Sequence, residues 1–194
     1  MTGPVCGNPG LLHRLWSDGR AVAATEFALI LPFMVLLLVG VIDISGAINA
    51  DRKVSRIANS TTDLVAQAQT LDTNDLDDIL ALGGKIMAPE SDDTLTTIIA
   101  SITFDGKGNA TVDWSYDSEQ NTPWAQGSVP PITFPETVAA PETSIVIAQS
   151  TLIYTPPFSG MFFAKTFPRL SQYTLRDVFY LRPRLTNTVS CTDC

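Results

Sequence analysis

Few residues in this 194-residue chain are placed to do chemistry. The one histidine, His13, lies in a polar N-terminal stretch, so any Ser-His-Asp triad or histidine-rich metal site would have to be built on it. Two of the three cysteines close the sequence as Cys191-Thr192-Asp193-Cys194. In an oxidising compartment the first chemistry this pair offers is a disulfide closing a small loop. A redox couple lacks a strand-to-helix setting, and a metal centre lacks two further ligands. Cross-linking to a partner through one thiol stays open. Cys6 follows no apolar run, so it reads as a free thiol and not as a lipoprotein cysteine. The acidic run with Asp75, Asp77 and Asp78 lacks the glycine and terminal glutamate of an EF-hand loop and reads as helix capping. P-loop, dinucleotide and nucleophile-elbow motifs are missing. The expectation is a protein with no enzymatic activity, no cofactor and no metal.

The residue that most needs a reason is Glu26. It is the single charge in the stretch from Ala21 to Ile42, AVAATEFALILPFMVLLLVGVI. As a helix those 22 residues cover about 33 Å, one hydrocarbon thickness. A carboxylate there costs about 2.5–3.5 kcal/mol on insertion scales unless it stays wet at the interface or meets a cation. Pro32 and Gly40 are tolerated in membrane helices, and Pro32 is expected to bend the helix or loosen one turn. The rival is a cleavable signal sequence, with Arg14 and Arg20 as its basic start and Ser45-Gly46-Ala47 as its cleavage site. The flanking basic residues nearly balance. Orientation therefore rests on the N-terminal location of the segment and on the acidic part that follows it, which place the N-terminus in the cytoplasm.

The stretch Asp18-Gly19-Arg20-Ala21-Val22-Ala23-Ala24-Thr25-Glu26-Phe27-Ala28-Leu29-Ile30-Leu31-Pro32 resembles the N-terminal signature of TadE/TadG-like pilus-assembly proteins. These are minor pseudopilins of the Flp (tight adherence) type IV pilus system of bacteria. The pattern is a basic residue, small or apolar residues, Glu-Phe-Ala, then an apolar run with Leu-Pro. The segments Ser144–Tyr154 with Thr155-Pro156-Pro157-Phe158, and Phe179–Arg184 with Val189-Ser190-Cys191, are similar to later parts of such proteins. The resemblance implies a single-pass protein of the bacterial inner membrane with a periplasmic C-terminal domain. It implies other pilin-like subunits, inner-membrane pilus-assembly proteins, a prepilin peptidase and the lipid bilayer as partners. Carried onto this chain, the peptidase would cut between Ala21 and Val22, although Ala21 stands where the family usually has glycine. Glu26 would then be the fifth residue, neutralising a neighbour's new amine, with Phe27 and the helix through Pro32 packing against other subunits. The alternative is an extracytoplasmic binding domain with a signal peptide and no pilus role.

These residues need elements to hold them. The chain reads as a tail over 1–20, a transmembrane helix over 21–42 and an amphipathic continuation over 43–70. An α+β head over 71–194 follows. Val54, Ile57, Ala58, Thr61, Leu64, Val65 and Ala68 recur at three- and four-residue steps and form one apolar stripe. A short helix is expected from Thr73 to Gly84, capped by Thr73 or Asn74 and stopped by Gly83 or Gly84. Leu95–Phe104, Ala110–Tyr116, Thr143–Tyr154 and Tyr173–Leu181 read as strands of a small antiparallel sheet. Residues 117–142, with five prolines, read as a long irregular connection. The apolar loop Phe158–Phe163 could be core or contact surface.

Twelve Lys and Arg face 20 Asp and Glu, a formal charge of −8, which removes nucleic acid as a partner. Residues 63–142 hold 14 acids and two bases, whereas 161–184 hold five bases and one acid. That asymmetry reads as a solvated acidic face with a basic edge, or as charge matching between subunits.

Overall fold

The computed structural model describes residues 19–135, 137–158 and 172–194. The tail with Cys6, His13 and Arg14, most of the apolar loop (Ser159–Phe163), Lys165 and Arg169 lie outside them. The chain divides into two units, Met1–Ile44 and Ser45–Cys194. The architecture is the expected one: a long apolar N-terminal helix and a small antiparallel sheet, an α+β plan.

Helix α1 spans Gly19–Ala66, 48 residues, and continues through Pro32 and Gly46 without a break. At 1.5 Å per residue that is about 72 Å of helix. In the first unit every side chain from Val22 to Leu38 is exposed. In the second unit α1 turns one face inward: Ala50, Val54, Ile57, Ala58, Thr61, Thr62, Val65 and Ala66 are buried. The expected stripe is thus present, with a correction at its end. Leu64 lies on its margin and is 38% exposed, while Thr62 is buried and its hydroxyl donates to the Ala58 carbonyl at 2.6 Å. The helix stops at Ala66, four residues short of the expected 70. The Arg184 amide donates to the Ala66 carbonyl at 2.9 Å, so a distant segment satisfies one of the helix's orphan acceptors.

A two-residue strand, β1 (Thr70–Leu71), leads into helix α2 (Thr73–Met87). The helix starts at Thr73 as expected, but the expected cap and the expected stop are both corrected. Asp72 is the cap: its carboxylate accepts from the Asp75 amide at 2.8 Å, and Asp75 accepts from the Asp72 amide at 3.2 Å. This reciprocal capping box follows the rule of an acceptor three residues before an acid. Gly83 and Gly84 do not terminate the helix. A Cβ at Gly83 would stand 3.3 Å from Leu95 Cδ2 and 3.5 Å from Ile57 Cγ2, so this glycine serves close packing. The stop comes at Ala88, which is extended (φ −51°, ψ 141°) because Pro89 follows.

The sheet contains β2 (Leu95–Phe104), β3 (Ala110–Asp117), β4 (Ser144–Tyr154) and β5 (Tyr173–Leu181) in the order β3-β2-β4-β5, each pair antiparallel. Register places Leu95 opposite Leu152, Ile99 opposite Ala148, and Leu152 opposite Leu175. This face receives the second half of α1. Ala50, Val54 and Ile57 cluster with Met87, Leu152, Leu95 and Leu175, and Ser55 donates to the Asp177 carboxylate. A shift between Ser101 and Ile102 leaves Asp113 unpaired in the ladder. Its carboxylate accepts from Ser101 at 2.9 Å and Thr103 at 2.7 Å.

The opposite face carries Ala100, Ile102, Phe104, Val112, Ile145 and Ile147, and the Pro-rich connection covers it. Trp124, Ile132, Phe134 and Val138 are the covering side chains, with Phe134 edge-on to Phe104 at 5.6 Å. The connection also bonds the sheet. The Val112 amide donates to Ser128 at 3.0 Å, and the Gly127 amide donates to Val112 at 2.8 Å. Gly127 has φ 76°, a conformation that favours glycine.

Candidate functional site

Two places hold the residues singled out above: the start of α1 and the end of the chain. On α1, the Ala21–Val22 bond lies within the helix, two residues after its first residue. Glu26 and Phe27 are exposed, Phe27 by 59%. Successive residues turn by about 100°, so Phe27 stands about 100° from Glu26 and Pro32 about 240°. No single face of the helix carries all three. The Thr25 hydroxyl donates to the Val22 carbonyl at 2.8 Å, which leaves it no unmet donor in an apolar setting. Phe33, Met34, Leu36, Leu37 and Leu38 are each more than half exposed, an arrangement that water disfavours and lipid or a packed neighbour permits. Among the described residues α1 is the one helix long and apolar enough to cross a membrane. It is compatible with a single-pass anchor.

At the other end, Cys191 and Cys194 are joined by a disulfide with their Cα atoms 5.7 Å apart. The loop it closes holds Asp193 against the start of α2. One Asp193 oxygen accepts from the Thr73 amide at 2.9 Å, and the other accepts from the Thr73 hydroxyl at 2.9 Å. A carboxylate there neutralises the positive end of the helix. The strand β6 (Ser190–Cys191) pairs in parallel with β1, and the Thr192 amide donates to the Leu71 carbonyl at 3.1 Å. The donor atoms of Cys191, Asp193 and Cys194 lie within 4.8 Å of one another. With both sulfurs in a disulfide and Asp193 engaged by Thr73, the group acts as a clasp. Opening it in the double variant Cys191→Ser/Cys194→Ser should cost about 2 kcal/mol, the value for so short a loop. A denaturant melt of the purified protein checks this; an unchanged midpoint would show that the clasp holds nothing.

A second tie joins α2 to the sheet. Tyr116 is 5% exposed, and its hydroxyl donates to Asp77 at 2.8 Å. Gln120 donates to the other Asp77 oxygen at 2.9 Å. Burial, followed by the Asp77 hydrogen bond, pushes the Tyr116 phenol up to about 12. A phenol whose folded value exceeds the unfolded one contributes stability that is complete below about pH 10. That contribution is lost as the pH rises through about 12. Titrating phenolate absorbance should therefore show a late step near pH 12, absent in Tyr116→Phe.

Three contacts that the sequence reading did not anticipate position these parts: the Asp72 cap, the Asp193 clasp and the Lys53 ammonium. Lys53 donates to the carbonyls of Met87 and Ala88 at 2.9 Å each and pairs with Glu90. It thereby caps the negative end of α2. The Lys53 hydrogen bond holds the Glu90 carboxyl below the usual range. The Asp72-x-x-Asp75 spacing was the available signal for the first of these. The other two join residues 120 and 34 positions apart and had none.

Residues 21–62 match the family of TadE-like proteins. The match covers the apolar part of α1 and most of its amphipathic continuation, and it overlaps the resemblance read from Asp18 to Pro32. No curated protein and no solved structure gave a match. The likeness to TadE-like proteins is confined to these residues, under a quarter of the chain.

Proposed function

We propose that this protein is a membrane-anchored minor pilin or pseudopilin that acts in assembling Flp/Tad-type pili. It sits in the bacterial inner membrane with the N-terminus in the cytoplasm and the sheet-bearing unit in the periplasm. Its work is mechanical and not enzymatic. The apolar helix packs laterally against other pilin-like subunits, and the head presents surfaces to them and to inner-membrane assembly proteins. A prepilin peptidase would process it between Ala21 and Val22.

The observation that carries this reading is a coincidence of position. The TadE-like match over 21–62 falls on the one helix whose side chains are exposed and apolar from Phe27 to Leu38. A protein with that helix in water would expose far more contiguous apolar surface than soluble monomers tolerate.

The test is fractionation followed by intact mass. The protein should stay in the membrane pellet after carbonate washing, with its head reached by protease from the periplasmic side. A mass beginning at Val22 supports processing by the peptidase, and an uncut chain supports an anchored pseudopilin outside the filament. A mature chain beginning at Ile48, or recovery from the soluble pool without detergent, overturns the reading in favour of a secreted binding domain.

A further inference from the structure

The charge asymmetry of the sequence sets a basic edge in residues 161–184 against an acidic remainder. In the structure Arg176 bonds Gln149 and Arg184 pairs with Asp63, so these two are consumed within the chain. Lys53 is likewise consumed by Met87, Ala88 and Glu90. Arg52 and Arg56 are exposed and have no hydrogen-bond or ion-pair partner among the described residues. They stand one turn apart on the outward face of α1, and Asp63 follows two turns later on the same face. Asp51 lies about 140° round the helix from Arg56 and belongs to another side. The outward face of α2 carries Asp75, Asp78 and Lys85, all exposed, at steps of three and seven. Asp77, between them, is turned inward to Tyr116.

Within the second unit α2 runs antiparallel to α1. Lys53 lies at Met87 and Ala88, a Cβ on Gly83 would stand 3.5 Å from Ile57, and Leu76 shares a cluster with Val65. Along the common axis Arg56 is therefore level with Gly84 and Lys85, and Asp63 with Asp77 and Asp78. Two copies at one depth in a bilayer, α1 beside α2, would set like charges face to face. Arg56 would meet Lys85, and Asp63, partly neutralised by Arg184, would meet Asp78. Sliding one copy along α1 by about nine residues, roughly 14 Å, changes both meetings. Arg52 then faces Asp78, Arg56 faces Asp75, and Lys85 and Asp63 pass beyond the opposing charges.

We infer that the Arg52–Arg56 face of α1 docks on the Asp75–Asp78 face of α2 in a second copy of this chain, displaced by about 14 Å along the helix. The complementary pattern lies in the chain itself, and the same step of about 14 Å keeps the two patches of one copy from meeting. Exposed ion pairs are individually weak, so the contact sets register more than it supplies affinity. The two patches are different surfaces, so the contact is heterologous and leaves each copy one patch for the next. The inference rests on the anchored-pilin reading above and deepens it: copies held level in the membrane repel, and copies displaced by this step attract.

The test is oxidative crosslinking between two differently tagged copies of the full-length protein in detergent, where depth is not fixed. Both carry Cys6→Ser. One carries Asn49→Cys or Asn59→Cys on α1, and the other carries Ala81→Cys on α2, all at exposed positions. The staggered register brings position 49 to 81, and the level register brings 59 to 81. Asn49→Cys should crosslink to Ala81→Cys at least about tenfold more than Asn59→Cys does, because the displacement between the registers exceeds the reach of a disulfide. Adding Arg52→Glu/Arg56→Glu to the first copy should cut that yield at least about tenfold, and Asp75→Lys/Asp78→Lys in the second copy should restore it. Asp78→Lys alone leaves the Asp72–Asp75 capping box in place and should restore part of it. Equal yields from the two registers, or no recovery when the charges are exchanged, overturns the inference. Such a failure leaves the protein in the carbonate-washed membrane, whereas a failure of the anchor reading releases it.

Discussion

Replacing Trp114 by alanine should destabilise the sheet-bearing unit by about 3–5 kcal/mol, the range for emptying a buried aromatic site. Trp114 is 6% exposed, and it packs with Val65 of α1, Leu71, Leu76 of α2, Ile99, Tyr116, Val146 and Val189. It therefore links both helices, the sheet and the C-terminal segment in one cluster. Its indole N–H donates to the Val189 carbonyl at 2.8 Å. Truncation leaves that buried acceptor without its donor, a further cost of about 1–3 kcal/mol. A domain of this size has about 5–15 kcal/mol in all. The expected result is a head that is partly unfolded at growth temperature, seen as a loss of cooperative melting and as rapid proteolysis. Trp114→Phe separates the two contributions, since it keeps most of the volume and removes the donor. It should cost less than half as much. An alanine variant that melts as the wild type would mean that the cluster around Trp114 does not hold the head together.

The strands were legible because their signals are local. Leu95–Phe104 is dense in β-branched residues and is followed by Asp105-Gly106-Lys107-Gly108-Asn109, so both edges are marked. The structure returns that strand with the same ends, and the other three within a residue. The amphipathic stripe was legible for the same reason; Leu64 sits on the margin where periodicity gives no decision, and Ala68 falls beyond the helix end at Ala66. The C-terminal end of α2 was misread where two local rules competed. Glycine inside a helix costs about 1 kcal/mol, so a Gly-Gly pair reads as a stop. The contact of Gly83 with Leu95 and Ile57 is long-range and reverses that reading. The Pro-rich connection shows the same limit. Its prolines exclude regular structure, but nothing local reveals that Trp124 and Phe134 fold back over the sheet. Of the candidate site, the residue types on α1 were readable and their arrangement was not: a motif spelled in a line places Glu26, Phe27 and Pro32 on different sides of a helix.

Changing Glu26 to glutamine should abolish pilus assembly while leaving membrane insertion intact. An amide replaces only part of what the carboxylate offers. Glutamine keeps the length and the hydrogen-bonding capacity of the side chain but carries no charge. Insertion should be unaffected or improved, because a charged residue costs about 2.5–3.5 kcal/mol within the membrane and the amide lowers that cost. Assembly is another matter. If Glu26 neutralises the new amine of a neighbouring subunit in lipid, the variant leaves a buried ammonium without its counter-ion. Removing one partner of a buried pair costs about 3–5 kcal/mol, a factor of a hundred or more at each contact. A minor subunit meets that loss at the contact through which it acts in assembly, so the sheared-pilus yield should fall below detection when the variant is the sole copy of this protein in the cell. The carbonate-resistant fraction, measured in the same cells, should match the wild type. Glu26→Asp gives the complementary arm: it keeps the charge but shortens its reach by one methylene, and it should assemble at an intermediate level. Normal piliation by Glu26→Gln would show that the carboxylate serves no contact between subunits and lies wet at the membrane surface. The exposure of Glu26 on α1 would then need no partner to explain it.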